Sequence, residues 1–396
     1  MPRPELAVRS LRGWVVAAVL GAAAFVAGCS GIPLGGTEPV SNAPPVQPTA
    51  VGAGQIKVAL ILPLSAAGNA GLAAQSMKNA AEMALAEFTN PNIQLLIKDD
   101  AGTASGAQTA AQQALGEGAE IILGPLFAVS VGAVGQVART RNVPVIAFST
   151  DTSVASRGVY LLSFLPESDV DRIVEYAVAQ GKRSFAGLVP ENAYGSVVEA
   201  AFNQAVSRRG ARIIALERYP LDRQRMQDPV KRVAQAAGQA DAIFIPDGAD
   251  AVPIVAQSLA AAGVQPRRIQ LLGTGLWDDP RIFAESTLQG GWFAAPEAAG
   301  FRNFSSRYRA RYGQEPVRTA TLSYDAVSLV AALVKTQGPQ RFSEQVLTNT
   351  SGFSGIDGVF RFRTDGTNER GLAVLRVTSS GALVISPAPK AFGGGT

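Results

Sequence analysis

The sequence contains no histidine among its 396 residues. That absence excludes the Ser-His and Cys-His pairs of nucleophilic enzymes and the zinc sites that use imidazole ligands. No Ser-x-x-Lys motif occurs either, which excludes the serine chemistry of the transpeptidases that cross-link cell walls. We therefore expect a protein that is not an enzyme and that needs no metal and no cofactor.

Charged residues are also few, at 17% of the chain, and the two signs nearly balance, with 35 Lys and Arg against 31 Asp and Glu. Three of the arginines and one glutamate lie in residues 1–28, so the net charge falls from +4 to +2 without that segment. A nearly neutral chain has no bulk charge with which to attract nucleic acid. We expect no nucleic-acid partner.

Cysteine occurs once, at Cys29, so the chain can form no internal disulfide. Before it, arginines are followed by an apolar, uncharged run over residues 14–26, a pattern typical of a signal peptide. The run is shorter than the ~20 residues with which a helix crosses a bilayer. The segment therefore predicts export and not a permanent membrane span.

The residues around the cysteine, 26–29 (VAGC), resemble the bacterial lipoprotein box. In that motif the chain is cut before the cysteine, and the thiol then carries a diacylglycerol. The resemblance implies a signal peptide over 1–28, lipidation of Cys29 and a periplasmic domain anchored to a membrane, with Ser30 favouring the outer membrane. An ordinary secretory cut beside an inert cysteine is the alternative.

Residues 30–54 hold five prolines and five glycines with one charged residue, a composition that cannot build a packed core. We predict that residues 29–54 form a tether from the lipid to the folded domain. A polyproline-like segment of this length would reach ~75 Å at most. A disordered segment with no spacing role is the alternative.

Beyond the tether, short apolar runs alternate with segments of helical periodicity, which predicts parallel strands joined by right-handed helical crossovers. Strands are predicted at 56–62, 93–98, 120–124, 143–148, 159–165, 241–247 and 269–275, and helices at 104–116, 129–141, 169–180 and 196–209. The series restarts at residue 168, and the remaining length is too great for one ordinary core. We predict an α/β protein of two doubly wound parallel-sheet lobes. Ligands of such sheets bind beyond the carboxyl ends of the strands, so the two lobes predict an interlobe cleft.

Seven short motifs follow one another along residues 56–362. They are Leu62-Pro63-Leu64-Ser65, Asp99-Asp100, Gly124-Pro125-Leu126 with Ser130, Pro144-Val145-Ile146 followed by Ser149-Thr150, Tyr194-Gly195, Tyr312-Gly313-Gln314-Glu315-Pro316 and Tyr324-Asp325-Ala326. In their order and spacing they resemble the type I periplasmic binding proteins of the leucine/isoleucine/valine-binding kind. The resemblance implies three crossings between the lobes, near residues 165, 295 and 356. Lobe 1 would comprise 55–165 and 296–355, lobe 2 would comprise 166–295 and 356–388, and 389–396 would form a flexible tail.

Two functions remain open. The stretch 271–296 (LLGTGLWDDPRIFAESTLQGGWFAAP) resembles the lipoproteins known as penicillin-binding protein activators, which implies a peptidoglycan synthase as the partner. The alternative is the solute-binding protein of an ABC transporter, with a permease as the partner and an amino acid or another small polar molecule as the ligand. The sequence favours the first function.

The resemblance also implies candidate ligand contacts in the cleft. Ser130, Ser149 and Thr150 match the loops that hold a ligand carboxylate, Ser65 ends the first strand motif, and Tyr194 matches the opposite wall. Turn and helix-capping chemistry is the alternative for Ser130, Ser149 and Tyr194.

The chain departs from the family at Gly275, where amino-acid binders carry a glutamate for the ligand ammonium. Asp247 and Asp278 follow neighbouring strands and could replace it, and Trp277 could offer a stacking surface, with interlobe packing as its alternative. On this basis we expect weak binding of free leucine, isoleucine and valine. The adjacent pair Asp99-Asp100 favours turn or helix-start capping over metal ligation, because successive strand residues point to opposite faces.

Overall fold

The computed structural model describes residues 50–265 and 268–393. The predicted signal peptide, the lipidation site Cys29 and most of the predicted tether lie outside the described residues. Within them, no helix combines the length and the apolar character needed to cross a bilayer.

The described chain alternates strands and helices. The strands are β1 (Ala50–Val51), β2 (Ile56–Leu62), β3 (Ile93–Asp99), β4 (Ile121–Leu123), β5 (Val145–Ala147), β6 (Val159–Leu161), β7 (Ser184–Pro190), β8 (Arg212–Tyr219), β9 (Ala242–Phe244), β10 (Gln270–Gly273), β11 (Trp292–Ala295), β12 (Phe353–Gly355), β13 (Gly358–Phe362), β14 (Asn368–Arg370), β15 (Ala373–Thr378) and β16 (Gly381–Ser386). The helices are α1 (Asn69–Glu87), α2 (Ala104–Gly116), α3 (Ala128–Arg139), α4 (Pro166–Ala179), α5 (Ala193–Arg208), α6 (Gln227–Ala236), α7 (Val252–Ala261), α8 (Pro280–Phe283), α9 (Ala298–Tyr312), α10 (Ala320–Thr336) and α11 (Glu344–Leu347).

Two large sheets define two lobes, which confirms the predicted fold class. The lobe 1 sheet has the order β1-β3-β2-β4-β5-β6, and the lobe 2 sheet has the order β16-β15-β11-β10-β9-β7-β8. In each sheet the centre consists of five parallel strands. If these are numbered within their lobe by their order along the chain, they lie side by side in the order second, first, third, fourth and fifth. The order therefore reverses beside β2 in lobe 1 and beside β7 in lobe 2, and such switch points open a crevice at the carboxyl ends of the strands.

Each sheet is buried on both faces. In lobe 1, one face packs against α1 and α10, and the other packs against α2 and α3. In lobe 2, one face packs against α6 and α7, and the other packs against α4 and α5. Strands covered by helices on both sides carry continuous apolar runs, which is why β2 (IKVALIL) shows no polar alternation.

The third crossing lies later than the sequence predicts. Strands β12 to β14 form a separate three-stranded sheet whose Phe360 and Phe362 belong to the lobe 1 core. The Asn368 amide donates to the carbonyl oxygens of Leu161 and Ser163, at 2.8 Å each. Leu372 then enters the lobe 2 core, so the chain crosses at residues 371–372 and not near 356. The local sequence of an amphipathic hairpin does not indicate which of the two lobes the hairpin packs against.

The predicted tether ends earlier than residue 54. Strand β1 pairs antiparallel with β3, opposing Ala50 to Leu96 and Val51 to Leu95. Gly54 lies so close to the next segment that a Cβ there would come within 1.9 Å of the Asn92 carbonyl carbon. Glycines that suggest flexibility in the sequence thus permit a tight backbone contact.

The predicted flexible tail is also partly packed. The Ala388 N–H donates to the Glu297 carboxylate at 3.0 Å. The Arg361 guanidinium lies 4.6 Å from the ring centroid of Phe392. Ala388, the residue before the predicted tail, is therefore held beside the start of α9, and Phe392 of the tail packs on the β12–β14 sheet, both on the lobe 1 side.

Candidate functional site

The first two crossings show which edges of the sheets face each other. The first leaves the carboxyl end of β6 and enters the N-terminus of α4, a helix that returns the chain to the start of β7. The second leaves the carboxyl end of β11 and enters the N-terminus of α9 on lobe 1. Because the crossings connect carboxyl edges, the strand-end loops of the two lobes line one cleft between them.

The lobe 1 wall of the cleft carries small hydroxyl side chains. Ser65 is exposed, and its N–H donates to Asp99 Oδ1 at 3.2 Å. Ser149 is 5% exposed, and its Oγ accepts from the Asp151 N–H at 3.1 Å, which leaves its own proton free to be donated. Thr150 is exposed beside it. The structure brings these three predicted residues to one wall.

Two helix N-termini add to the same wall. The residues that precede α1 and α3, Gly68 and Phe127, provide no side-chain cap, and neither helix has an acidic residue in its first turn. The free N–H groups and the helix dipole give such ends a partial positive charge. The lobe 1 wall therefore favours an anionic group.

Ser130 lies elsewhere. It is fully buried in α3, and its hydroxyl donates to the Thr103 carbonyl at 3.4 Å, between α2 and α3. Beside it, the buried Asp100 accepts from the Gly102 N–H at 2.9 Å, and burial raises the pKa of that carboxyl group. Packing between α2 and α3 accounts for Ser130, for which the sequence offered turn or helix capping as the alternative. A turn accounts for Asp100, as the sequence favoured.

The lobe 2 wall carries the Tyr194 phenol and carboxylates, and the Tyr219 side chain lies buried beneath it. The Tyr194 hydroxyl lies 3.1 Å from Thr274 Oγ1, and the Tyr219 hydroxyl donates to Asp247 Oδ2 at 2.6 Å. The other oxygen of Asp247 accepts from the Gly248 N–H at 2.8 Å. Burial raises the pKa of both tyrosines, so both hydroxyls keep their protons at neutral pH.

Trp277 does not offer a ring face to the cleft, contrary to the sequence-based prediction. The side chain is fully buried in the lobe 2 core, 6.4 Å from Phe293 between ring centroids. Its Nε1–H donates to the Ile245 carbonyl at 3.0 Å. Packing within lobe 2, and not between the lobes, accounts for this tryptophan.

Asp169 is the cleft residue that the sequence analysis missed. The Gly275 N–H donates to Asp169 Oδ2 at 2.9 Å, so a carboxylate from α4 occupies the position beside the loop that lacks a glutamate. Desolvation raises the pKa of Asp169 to about 7, against an opposing effect of Arg370. The residue lies in the first turn of a helix, where an acidic side chain is usual, and so carries no separate signal in the sequence.

The floor of the cleft contains a stack of cations and rings. Arg318 lies 4.5 Å from the Phe164 ring centroid and 4.6 Å from that of Phe301, and it also holds the buried Asp357 through two hydrogen bonds of 2.9 and 2.5 Å. Arg370 lies 4.7 Å from the Phe164 centroid. Phe164, Phe301 and Arg370 belong to or adjoin the three crossings, so the stack connects the segments about which the lobes can rotate.

Comparison with known proteins agrees with this architecture. The model of the family described as "Periplasmic binding protein" matches residues 55–382. The chain belongs to the periplasmic binding protein family. Its location is accordingly the periplasm, and the two lobes with their cleft are the binding-protein fold.

Individual relatives of this binding protein are distant. It is 23% identical to Leu/Ile/Val-binding protein homolog 6 of Brucella melitensis over 229 residues, and the match spans 56% of this chain and 58% of that relative. A solved structure from Rhodospirillum rubrum, described as a branched-chain amino acid ABC transporter, has a TM-score of 0.72 at 20% identity, with 83% of this chain and 99% of that chain covered. A solute-binding protein of an ABC transporter from Rhodopseudomonas palustris, in complex with 3,4-dihydroxybenzoic acid, has a TM-score of 0.60 at 21% identity, with 84% and 96% covered. At such low sequence identities, the similarity to these proteins establishes a shared fold.

Proposed function

We propose that this protein is the solute-binding receptor of an ABC uptake system and captures a small carboxylate-bearing molecule in its cleft. The observation that carries the proposal is the opposite polarity of the two walls. The lobe 1 wall offers hydroxyl groups and uncapped helix N-termini, and the lobe 2 wall offers carboxylates and the Tyr194 phenol. The relatives described as ABC transporter proteins support the same function.

In this function Ser149, Thr150 and Ser65 bind the ligand carboxylate from lobe 1. Hydrogen bonds to a charged acceptor are stronger than those between neutral groups, and they replace the water that a carboxylate loses in a cleft. Closure then brings Tyr194 and Asp247 of lobe 2 against the rest of the ligand. The protein contributes binding and closure, with no chemical step.

Isothermal titration calorimetry tests this proposal. The purified mature protein is titrated with L-amino acids, with the corresponding 2-oxo acids and with benzoate and 3,4-dihydroxybenzoate. We expect binding of at least one carboxylate, and a tenfold or greater loss of affinity when Ser149 and Thr150 are both changed to Ala, since each hydrogen bond to a charged group contributes about 1.5–3 kcal/mol. Failure of the mature protein to bind any compound would contradict the proposal.

Anchoring at Cys29 is part of the proposal and rests on the sequence of residues 26–29. Only a thiol can accept the diacylglycerol, so Cys29→Ser should leave the precursor unlipidated. Radiolabelled palmitate should enter the wild-type protein and not the variant, and label in the variant would refute the assignment.

The activator function is the second candidate, supported by the stretch 271–296. This stretch forms β10, α8, β11 and the turns between them, and it contributes Trp277 and Phe293 to the lobe 2 core. Crosslinking in the native envelope, followed by identification of the captured proteins, separates the two functions. A permease supports transport, whereas a peptidoglycan synthase whose polymerisation rate rises with the purified protein would establish the activator function instead.

A further inference from the structure

Five basic residues lie along one edge of the lobe 2 sheet, the edge at which its parallel strands begin. This edge is opposite the carboxyl ends that line the cleft. Four of the six strands from β15 to β8 carry a basic residue there, so the row extends over about 24 Å at about 4.8 Å per strand. We call this row the basic edge, and its members are Lys182 and Arg183 before β7, Arg212 at the start of β8, Arg268 before β10 and Arg376 of β15 beside the start of β11.

The positive charge of the basic edge is not balanced by neighbouring carboxylates. Its four arginines are exposed, and none of its five members forms an ion pair with any residue that the structure describes. Asp241 lies on the same edge, but its Oδ2 already accepts from the Arg183 N–H at 2.8 Å and from the N–H and hydroxyl of Ser184 at 2.9 Å each. The arginine side chains therefore remain available to an external anion.

The corresponding edge of lobe 1 is built differently. There, two of the cations form ion pairs with carboxylates, Arg341–Glu120 at 2.9 Å and Arg157–Glu344 at 2.6 Å. Two exposed arginines, Arg139 and Arg141, have no ion pair among the residues described on that side. Unpaired positive charge is thus concentrated at the end of lobe 2.

Apolar and aromatic side chains adjoin the basic edge at its β15 end. Arg376 lies directly opposite Trp292 on β11 and Leu383 on β16, and opposed residues of antiparallel strands share one face of the sheet. Leu383 is 46% exposed, and the partly buried Trp292 ring lies 5.2 Å from that of Tyr176, between centroids. Proteins place this combination of arginine, aromatic and leucine side chains at the boundary between a bilayer and water.

We propose that the basic edge is a docking surface for an anionic lipid bilayer. Its arginines and Lys182 bind the phosphate groups of the lipids, and Leu383 reaches the boundary with the acyl chains. A bilayer is favoured over an acidic protein because the proposed anchor at Cys29 lies 21 residues before Ala50, which keeps the domain within about 65 Å of a membrane. The inference rests on that anchoring for the choice of a bilayer, and it is independent of what the cleft binds.

Docking through the basic edge restricts the orientation of the domain. A lipid anchor alone leaves the domain free to rotate on its tether. The basic edge holds the end of lobe 2 at the lipid surface, so the cleft, at the opposite edge of the sheet, lies one lobe away from the bilayer. Each basic side chain at an anionic surface raises the affinity about fivefold, and salt weakens this attraction by screening.

Vesicle co-sedimentation tests the proposal. The mature chain, residues 29–396, carries Cys29→Ser so that no lipid is attached to it, and this form is the reference protein. It is mixed with vesicles of phosphatidylcholine alone, or of phosphatidylcholine and phosphatidylglycerol in equal amounts, at about 50 mM and about 500 mM NaCl. One double variant, Arg212→Gln with Arg268→Gln, removes two charges from the basic edge. The matched control, Arg139→Gln with Arg141→Gln, removes two charges from the corresponding edge of lobe 1.

We expect the reference protein to bind the anionic vesicles, more weakly at the higher salt concentration, and not to bind the neutral vesicles. The Arg212→Gln, Arg268→Gln variant should bind about 20- to 30-fold more weakly, and the control should bind within about twofold of the reference protein. Leu383→Ser should weaken binding by the same factor at both salt concentrations, because an apolar contact is not screened.

An equal loss of affinity in the two double variants would overturn the proposal, because diffuse positive charge would then account for the binding. Equal binding to neutral vesicles, or no binding to either kind, would overturn it as well. Binding of a purified permease or synthase without lipid, abolished by the Arg212→Gln, Arg268→Gln variant, would assign the basic edge to an acidic protein instead. Calorimetry of the cleft and palmitate labelling of Cys29 test the receptor function and the anchoring separately, so a failure of either is distinguishable from a failure of the docking surface.

Discussion

The guanidinium of Arg370 lies 4.7 Å from the ring centroid of Phe164, with the guanidinium of Arg318 at 4.5 Å from the same ring. Arg370 is buried, and its Nε donates to the Ser163 carbonyl at 2.9 Å, so its charge is stabilised by a ring and a carbonyl at the point where the chain crosses between lobes. A cation over a ring is worth about 0.5–2 kcal/mol depending on its exposure. The ring of Phe164 therefore stabilises two crossings at once.

Phe164→Leu should cost about 1–2 kcal/mol of unfolding free energy, because it keeps apolar volume but removes two cation–π contacts. Phe164→Ala should cost more, because it also leaves a cavity. Phe283→Leu is the matched control, since that partly buried ring packs on Phe293. Urea denaturation measures the change in unfolding free energy. An equal loss of unfolding free energy in the Phe164→Leu and Phe283→Leu variants would contradict a stabilising effect of the cation–π contacts.

Asp325 should make stability fall as pH rises. Burial raises its pKa to about 7, above the ordinary value of 3.8, so between these values the native carboxyl keeps a proton that the unfolded chain has lost. The free energy of unfolding should then decrease through this window by up to about 1.4 kcal/mol per pH unit.

Asp325→Asn removes this contribution and retains an acceptor for the Ile356 N–H. The variant should show a flatter profile of unfolding free energy between pH 4 and pH 7. Asp365 is the control, and its effect on the pH dependence of stability has the opposite sign, because hydrogen bonds from Thr367 help to lower its pKa. Asp365→Asn should not flatten the decline, and an Asp325→Asn profile parallel to the wild type would contradict the assignment.

Trp277→Phe should reduce stability by about 2–4 kcal/mol while leaving ligand affinity within threefold of wild type. The change removes volume from the lobe 2 core and leaves the Ile245 carbonyl without its donor. Denaturation and calorimetry on the same samples measure both quantities. A large loss of affinity with unchanged stability would show instead that the indole contacts the ligand.

Gly54→Ala should detach or strain the segment that follows β1, at a cost of about 1–3 kcal/mol, because the new Cβ would meet the Asn92 backbone. Gly116→Ala is the control, since a Cβ there meets nothing within 4 Å at the end of α2. That variant should be neutral or slightly more stable. Thermal unfolding distinguishes the pair, and similar melting temperatures for both would count against the close contact.

The alternating strands and helices could be predicted because the hydrophobic pattern that indicates each of them lies within one short stretch of sequence. The helix predicted at 104–116 matches α2, and the strand predicted at 56–62 matches β2. Strand β1 could not be predicted, because its two residues are too few to show the alternation of apolar and polar side chains that indicates a strand. The lobe that receives β13 could not be predicted either, because Phe360 joins a core built mostly from residues far from it in the sequence.

Only part of the candidate site could be predicted, because some of its residues are placed by their own strand and others by contacts between distant segments. Ser149 and Thr150 follow a strand, and the carboxyl end of a parallel strand fixes their place at the cleft. Trp277 also follows a strand, but a short 3₁₀ turn over Gly275–Trp277 folds the indole back into the core. Asp169 meets Gly275 across 106 residues, and only the packing of α4 on lobe 2 brings them together.

The antiparallel pairing of β1 with β3 also has a mechanical consequence. A pull applied to the chain before Ala50 reaches the domain first at the edge of the lobe 1 sheet, through the few hydrogen bonds of β1 and that from the Gly54 N–H to the Ile93 carbonyl. Those bonds can break and re-form while β2 stays paired with β3 along all seven of its residues. The segment 50–55 can thus yield under load as a short elastic extension, and the binding cleft is isolated from tension in the chain that leads to it.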